Sequence, residues 1–475
     1  MKRDPVSVDS TAREPVALGT AGGRWLVLVT VLASGMAFID STAVNVALPS
    51  IGRDLGSSLS GLQWTVTAYT LTLAALILLG GSLGDRYGRR RIFLIGVAWF
   101  ATASLVCGLA QSPGQLILAR GVQGIGGALL TPGSLALIQS SFRPGDRAKA
   151  IGIWSSLGGI AGLIGPVLGG FLVDAASWRF VFLLNVPVAA LVLAAARFVP
   201  ESRDEQAAGR FDVLGAVLGA VALGGITYAL ITGGEHLTRP DVSLSALLGI
   251  AAGVAFVVRE RRAAHPMLPL RLFGSRQFSG ANLATLTIYG ALAGGGLFIV
   301  LQLQNVLGYS AKAAGAALLP TILLLSLLSP RTGALATRIG PRLPMTIGPL
   351  VVTLGALWFS RLGAGSSYVT GVLPGSLLQG LGMALTVAPL TATVLGAAPT
   401  HQAGIASGVN NAVARAGGLL AVAALPVAVG LSGSDYTHPA AFTSGFRTAM
   451  YVCAALFAIG GVVSWLTIRN DVLKA

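Results

Sequence analysis

Fourteen apolar stretches of 17 to 29 residues follow one another along this chain, separated by short polar segments. They run over roughly 24–48, 62–83, 91–111, 114–139, 148–172, 178–199, 211–233, 242–258, 278–302, 313–330, 342–362, 367–395, 404–430 and 445–468. About 20 apolar residues in a helix cross the ~30 Å hydrocarbon core of a bilayer. In lipid the backbone has no water to bond, so each stretch must be helical. The fold class is therefore an all-α polytopic membrane protein with 14 transmembrane helices. A mean hydropathy of +0.77 and 10% charged residues exclude a soluble globular chain, in which about a quarter of residues carry charge.

The net charge of +15 then reads as loop charge that fixes orientation, not as a nucleic-acid footprint. With the N-terminus inside, the segments expected in the cytoplasm hold 24 Lys and Arg, and the expected outer loops hold 6. Arg120 and Arg415 fall inside helices. An even helix number places both termini in the cytoplasm. The expected divisions are a cytoplasmic tail over 1–23, a six-helix bundle over 24–200, a linker with two extra helices over 201–277, a second six-helix bundle over 278–468 and a short tail over 469–475. The first apolar run is too long for a signal peptide, so no cleavage is expected. Cys107 and Cys453 lie in apolar runs and read as small core residues.

Between the second and third runs stands Gly81-Ser82-Leu83-Gly84-Asp85-Arg86-Tyr87-Gly88-Arg89-Arg90-Arg91, a tight cationic hairpin with one acid at its centre. Four arginines in so short a loop favour the cytoplasmic side. The pattern G-x-x-x-D-R-x-G-R-R resembles the loop between helices 2 and 3 of the major facilitator superfamily. That resemblance implies a gating latch made by Gly81, Asp85, Arg86, Gly88, Arg89 and Arg90. In it, Gly81 and Asp85 would pack against a helix of the other half. A weaker copy, Gly333 to Arg342, follows the second helix of the last six, with Thr337 where the first has Asp85. Parallel repeats of this kind build transporters that bind substrate between two halves.

Asp40 is the clearest acid deep in an apolar run; Asp174 sits at a helix end. A carboxylate in hydrocarbon must face a cavity, pair, or become protonated. Burial disfavours its charge and a neighbouring arginine restores it. Asp40 is thus a proton-exchanging group or one arm of a fixed ion pair. The segment resembles the first-helix signature of fourteen-helix drug:proton antiporters, which implies coupling or drug binding by this acid. Arg120 cannot face lipid and points into the bundle. It lies about 9 Å below the outer end of its helix and Asp40 about 12 Å below the end of its own, so contact is permitted. Arg120 and Gln123, in R-x-x-Q-G, resemble a motif assigned to proton transfer. Packing against backbone carbonyls is the other reading.

The fifth run carries Gly152 and, further on, Gly165, Pro166, Gly169 and Gly170. This resembles the antiporter motif G-x8-G-x3-G-P-x2-G-G, with Ala161 in place of one glycine. The resemblance implies export and a seal on the outer side. In the thirteenth run, Gly404 and Gly408 would let Gly81 approach, and the helix N-terminus would attract Asp85. Arg415 lies near mid-membrane as a cavity-lining or structural residue. Asn45, Gln123, Asn282, Tyr289 and Gln302 are further candidates for the cavity wall.

The four histidines, His236, His265, His401 and His438, show no metal spacing, and no phosphate-binding G-x-x-x-x-G-K-[ST] occurs. No enzymatic chemistry and no cofactor are expected; a proton gradient is the energy source. The expected function is a proton-coupled antiporter exporting small amphiphilic or cationic compounds across a bacterial cytoplasmic membrane, as a monomer and with no nucleic-acid partner. A dedicated exporter of one natural metabolite uses the same motifs. A transport-inactive sensor on this fold is the reading from another class.

Overall fold

A computed structural model describes residues 16–203, 212–233, 239–263, 266, 268–398, 403–433 and 435–472. Most of the expected N-terminal tail, the charged segment after Arg203, and His236, His265 and His401 lie outside the described residues. The described chain is helical, in the order α1 (Ala21–Leu55), α2 (Leu59–Tyr87), α3 (Arg89–Gly108), α4 (Pro113–Ser141), α5 (Pro144–Ala175), α6 (Arg179–Phe198), α7 (Val213–Gly233), α8 (Pro240–Arg262), α9 (Arg276–Val306), α10 (Ala311–Ile339), α11 (Arg342–Phe359), α12 (Tyr368–Gly396), α13 (Ala403–Ala428) and α14 (Pro439–Thr467). Each coincides with one of the apolar runs.

Twelve of these helices, among the described residues, are long and apolar enough to cross a membrane. The number is 13 if the two arms of α2, which meet at 48°, form one span. The expected total of 14 is not reached because α5 enters only through Ile164–Ala175. The start of α5 carries Asp146, Arg147 and Lys149.

Most helix starts have a side-chain cap or a proline that fits the first turn. Ser58, Ser112, Ser275 and Ser310 each accept from a backbone N–H inside the helix they precede. Pro113, Pro144, Pro240 and Pro439 stand at first positions, where no N–H is needed. Faces that look away from the bundle carry Leu118, Leu247, Val254, Leu327 and Leu466 exposed, as lipid contact requires.

Packing repeats between the first six helices and the last six. Helix α1 lies on α5, α2 on α4 and α3 on α4; likewise α9 lies on α13, α10 on α12 and α11 on α12. Corresponding glycines make the close contacts. A Cβ on Gly126 would come 2.6 Å from the Phe100 backbone nitrogen, and one on Gly382 would come 2.7 Å from that of Val352. Without a hydrophobic force between helices in lipid, such close backbone packing is a main source of association. The two basic hairpins repeat as well. Gly88 and Gly340 have φ of 108° and 88°, angles closed to residues with a Cβ. Each sits under a cap from beyond the last helix of its block. The Glu201 carboxylate accepts from the backbone N–H of Arg90 and Arg91 at 3.0 and 3.1 Å, and Asn470 Oδ1 accepts from Arg342 N–H at 3.2 Å. Helices α7 and α8 pack on each other, and α7 also touches α2 and α13.

Gly126→Ala is expected to push α3 from α4 and to cost about 1–3 kcal/mol. The lowered thermal unfolding midpoint in detergent reads this out. Gly121→Ala, whose Cβ would meet open space, is expected to leave the midpoint unchanged or raise it.

Candidate functional site: a buried ion pair beneath a closed seam

Five helices of the first block deliver polar groups to one buried point. Asp40 comes from α1, Tyr69 and the Thr65 carbonyl from α2, Ser104 from α3, Arg120 and Gln123 from α4, and Asn185 from α6. Arg120 Nη1 donates to Asp40 Oδ2 at 2.6 Å, so the contact that the helix depths permitted is made. The same nitrogen donates to Gln123 Oε1 at 2.6 Å, and Arg120 Nε donates to the Thr65 carbonyl at 3.0 Å. The other carboxylate oxygen of Asp40 accepts from Gln123 Nε2 at 2.9 Å and from Asn185 Nδ2 at 3.1 Å. Ser104 Oγ accepts from both amides and donates to the Phe182 carbonyl. The Arg120 guanidinium lies over the Tyr69 ring, 4.4 Å from its centroid.

Asp40 has 0% and Arg120 1% of its surface exposed. A buried charge pair of this kind holds only when its remaining hydrogen-bonding positions are filled. The two amides and Ser104 fill them here. Gln123, expected on the cavity wall, is instead a structural member of this cluster. Asn185 and Ser104 were not anticipated. A lone asparagine in the apolar sixth run, at a depth matching that of the acid in the first, is the sequence signal that could have found Asn185; Ser104 carries none.

The two blocks meet at the end away from the basic hairpins. Gln63 Nε2 on α2 donates to the carbonyls of Val422 and Ala423 on α13, at 2.7 and 3.2 Å. Gln304 Nε2 on α9 donates to the Val46 carbonyl on α1 at 2.8 Å. The Tyr436 hydroxyl, between α13 and α14, donates to the Ser57 carbonyl at 2.6 Å. Burial pushes the pKa of that hydroxyl up, against a smaller opposite pull from Arg53, which keeps it a donor. The Asp174 carboxylate, at the end of α5, accepts from the backbone N–H of Ala311 and Lys312 at 3.2 and 2.9 Å. An acid of the first block thereby caps the N-terminus of a helix in the second.

The glycine-proline motif lies at this seam. A Cβ on Gly165 would strike Thr42 of α1, and one on Gly169 would meet Ala43 of α1 at 2.5 Å. A Cβ on Gly170 would meet the Ala311 carbonyl of α10, and Gly315 of α10 packs on the Pro166 carbonyl. One face of α5 thus fits both α1 and α10. Gly152 lies apart from this contact, with open space at its Cβ position.

The basic hairpin departs from the expectation. Asp85 pairs with Arg89 of its own hairpin at 2.7 Å. Gly81 faces Pro132 of α4. The two residues expected to meet α13 find their partners within the first block instead. The carboxylate that reaches across to the second block is Asp174, at the opposite end. Both arrangements use the same physics, an acid at a helix N-terminus, and the seam here is joined at the Asp174 end. Arg90 donates its backbone N–H to Glu201, and Arg86 lies 5.6 Å from the centroid of the Tyr87 ring.

Among the remaining candidates, Asn45 Nδ2 turns back to the Ser41 carbonyl of its own helix. Asn282 accepts from Asn410 of α13 at 3.2 Å, which joins α9 to α13. Gln302 is wholly buried and donates to the Leu362 carbonyl after α11, away from mid-helix. Tyr289 is half-buried on α9, beside Gly418 of α13. Asp174→Ala removes a cap worth about 0.5–2 kcal/mol. It is expected to loosen the seam roughly 2- to 30-fold in population, measured as a longer distance between spin labels on α5 and α10.

A sequence profile of the Major Facilitator Superfamily matches residues 30–422. The Multidrug resistance protein Stp of Mycobacterium tuberculosis is 39% identical over 404 residues, which cover 84% of this chain and 75% of that protein. The Puromycin resistance protein pur8 of Streptomyces alboniger is 38% identical, over 85% of this chain and 81% of its own. The Tetracenomycin C resistance and export protein of Streptomyces glaucescens is 36% identical, over 86% and 76%. In fold, the chain resembles the POT family transporter PepTSo with a TM-score of 0.69 at 15% identity, over 94% of this chain and 97% of that one. It resembles a bacterial homologue of the human lysosomal transporter Spinster with a TM-score of 0.67 at 18% identity, over the same shares. This multi-pass membrane protein belongs to the Major Facilitator Superfamily.

Proposed function

We propose that this chain is a proton-coupled antiporter that exports small amphiphilic compounds by alternating access. The observation that carries the proposal is the Asp40–Arg120 pair, wholly buried in a membrane bundle and tied through the Thr65 carbonyl, Ser104 and Asn185 to three further helices. Relatives named for multidrug resistance and for export of one antibiotic support the direction of transport.

The chain spans the membrane 14 times, with α5 and the bent α2 as spans, and both termini are cytoplasmic. Residues 24–200 and 278–468 form the two moving bundles, and 201–277 holds the accessory pair α7 and α8. The protein works as a monomer in the bacterial cytoplasmic membrane. In this orientation the basic hairpins face the cytoplasm and the closed seam faces outside. In this reading the substrate cavity opens inward while the seam is closed.

In the proposed cycle, water reaching Asp40 from the outside delivers a proton. Protonation removes the charge that Arg120 balances. Arg120 keeps its bonds to Gln123 and the Thr65 carbonyl and its place over Tyr69, so it remains held. Return to the state described here re-forms the ion pair and releases the proton inward. The basic hairpin and the Asp174 contact are engaged by turns, one at each end.

Relatives named for puromycin and for tetracenomycin C favour a second reading, a dedicated exporter of one metabolite. A substrate panel in everted vesicles separates the two: one responder indicates dedication, many indicate breadth.

Asp40→Asn is expected to abolish proton-driven efflux, a loss of at least about 100-fold in initial rate, with the protein still in the membrane. The measurement is substrate-evoked proton release from everted vesicles. Full transport by this variant sinks the coupling role.

A further inference from the structure

Arg415 stands at the middle of α13, a helix that packs on α2. Seven residues separate it from Val422, whose carbonyl accepts from Gln63 in the seam. Six residues separate Gln63 from Tyr69 on α2. At about 1.5 Å per residue, both lie roughly 10 Å inward of the closed contact. The Tyr69 ring carries the Arg120 guanidinium of the first block, and Arg415 of the second lies at a similar depth on the neighbouring helix.

The two cations differ in one respect. Arg120 has Asp40. Arg415 makes no ion pair among the described residues, and its Nε is buried without a hydrogen-bond partner. No other acid is placed to serve it. Asp40 is the single carboxylate among the described residues more than two turns from a helix end, and it is fully engaged. The neighbouring polar groups of α13 have their own bonds: Asn410 donates to Asn282 and Thr285 of α9. A guanidinium presents five donors in a planar fork that suits an oxyanion. Leaving it bare at mid-membrane is costly.

We infer that Arg415 is the anion-binding group of the transport cavity, and that the preferred cargo is an amphiphile bearing an acidic group such as a carboxylate or phenolate. This rests on the export reading. It narrows it, because a cationic cargo would meet the field of Arg415 with no open carboxylate to answer it. Asp40 is sealed behind Arg120 and Tyr69. Tyr289, beside Gly418, and the apolar seam offer contact for the body of the compound.

The test uses the purified full-length protein in phosphatidylcholine liposomes. Three probes share one fluorescent body: 1-pyrenebutyrate, its methyl ester, and a pyrenebutyl trimethylammonium salt. Binding is read by energy transfer from tryptophan, and proton movement by an entrapped pH dye. The carboxylate is expected to bind the wild type best. Arg415→Gln should weaken that binding at least about thirtyfold and leave the ester unchanged, which also shows that the variant is folded. Arg415→Lys should fall between. Equal binding of carboxylate and ammonium, or wild-type carboxylate binding by Arg415→Gln, overturns the inference. The expected binding pattern without proton movement leaves the anion site standing and removes the export reading. Proton movement driven by the ammonium alone does the reverse. Adding phosphatidylglycerol separates sources: competition assigns the fork to a lipid phosphate as well, and no effect assigns it to the transported acid.

Discussion

The pair formed by Asp40 and Arg120 sets the terms for everything around it. Two opposite charges at 2.6 Å with almost no exposed surface persist only if their other lone pairs and protons are satisfied. That demand recruits Gln123, Asn185, Ser104 and the Thr65 carbonyl, and with them α2, α3 and α6. Five of the first six helices are thus tied to one another through a common point. Removing one partner of such a pair costs about 3–5 kcal/mol, so the cluster resists distortion.

The seam between blocks is built from weaker parts. It uses amide and hydroxyl donors to helix carbonyls and one acid on a helix N-terminus. Each such contact contributes about 0.5–2 kcal/mol. Contacts of this size can be exchanged for others elsewhere, which a rigid ion pair cannot. Two stiff blocks joined by separable contacts are the mechanical requirement for opening at either end. Asp85 bound to Arg89 and Asp174 bound across the seam give the two ends different states in the same structure.

Charge in the interior is uneven between the blocks. The first contributes a balanced pair, the second an arginine that has no ion-pair partner among the described residues. In a low-dielectric space that difference decides what can enter, since a charge there is screened little. The glycine face of α5 is uncharged and acts by shape alone. It brings α1 and α10 within backbone distance, where a single added methyl would separate them.

The succession of apolar helices and the internal repeat were legible in the chain, because each follows from local hydropathy and from glycine and arginine spacing; the number of full spans was not, since the charged start of α5 and the bend in α2 are settled by the fold. The acid and the arginine were legible for the same reason: lipid forbids both, so each had to turn inward. Their contact was permitted by matching depth. Its surrounding amides were not foreseen, because asparagine and serine are tolerated in many helix environments. Gln302 and Gln123 show the limit. Polarity marked them, but rotation about the helix axis decides whether such a side chain meets a cavity, a neighbour's carbonyl or a charge. Rotation is fixed by packing across the whole block. The hairpin's partner was likewise beyond the sequence. The same eleven residues could bond within their own block or across to the other, and only the packing around Asp85 and Gly81 decides between them. The amino-acid sequence by itself determined that this chain spans a membrane, repeats, and carries two opposite charges where lipid cannot hold them. Tertiary structure alone decided that those charges bond each other, that Asp174 and not Asp85 reaches across the seam, and that Arg415 has no acidic partner among the described residues. Pairing between distant helices is a property of their arrangement in space.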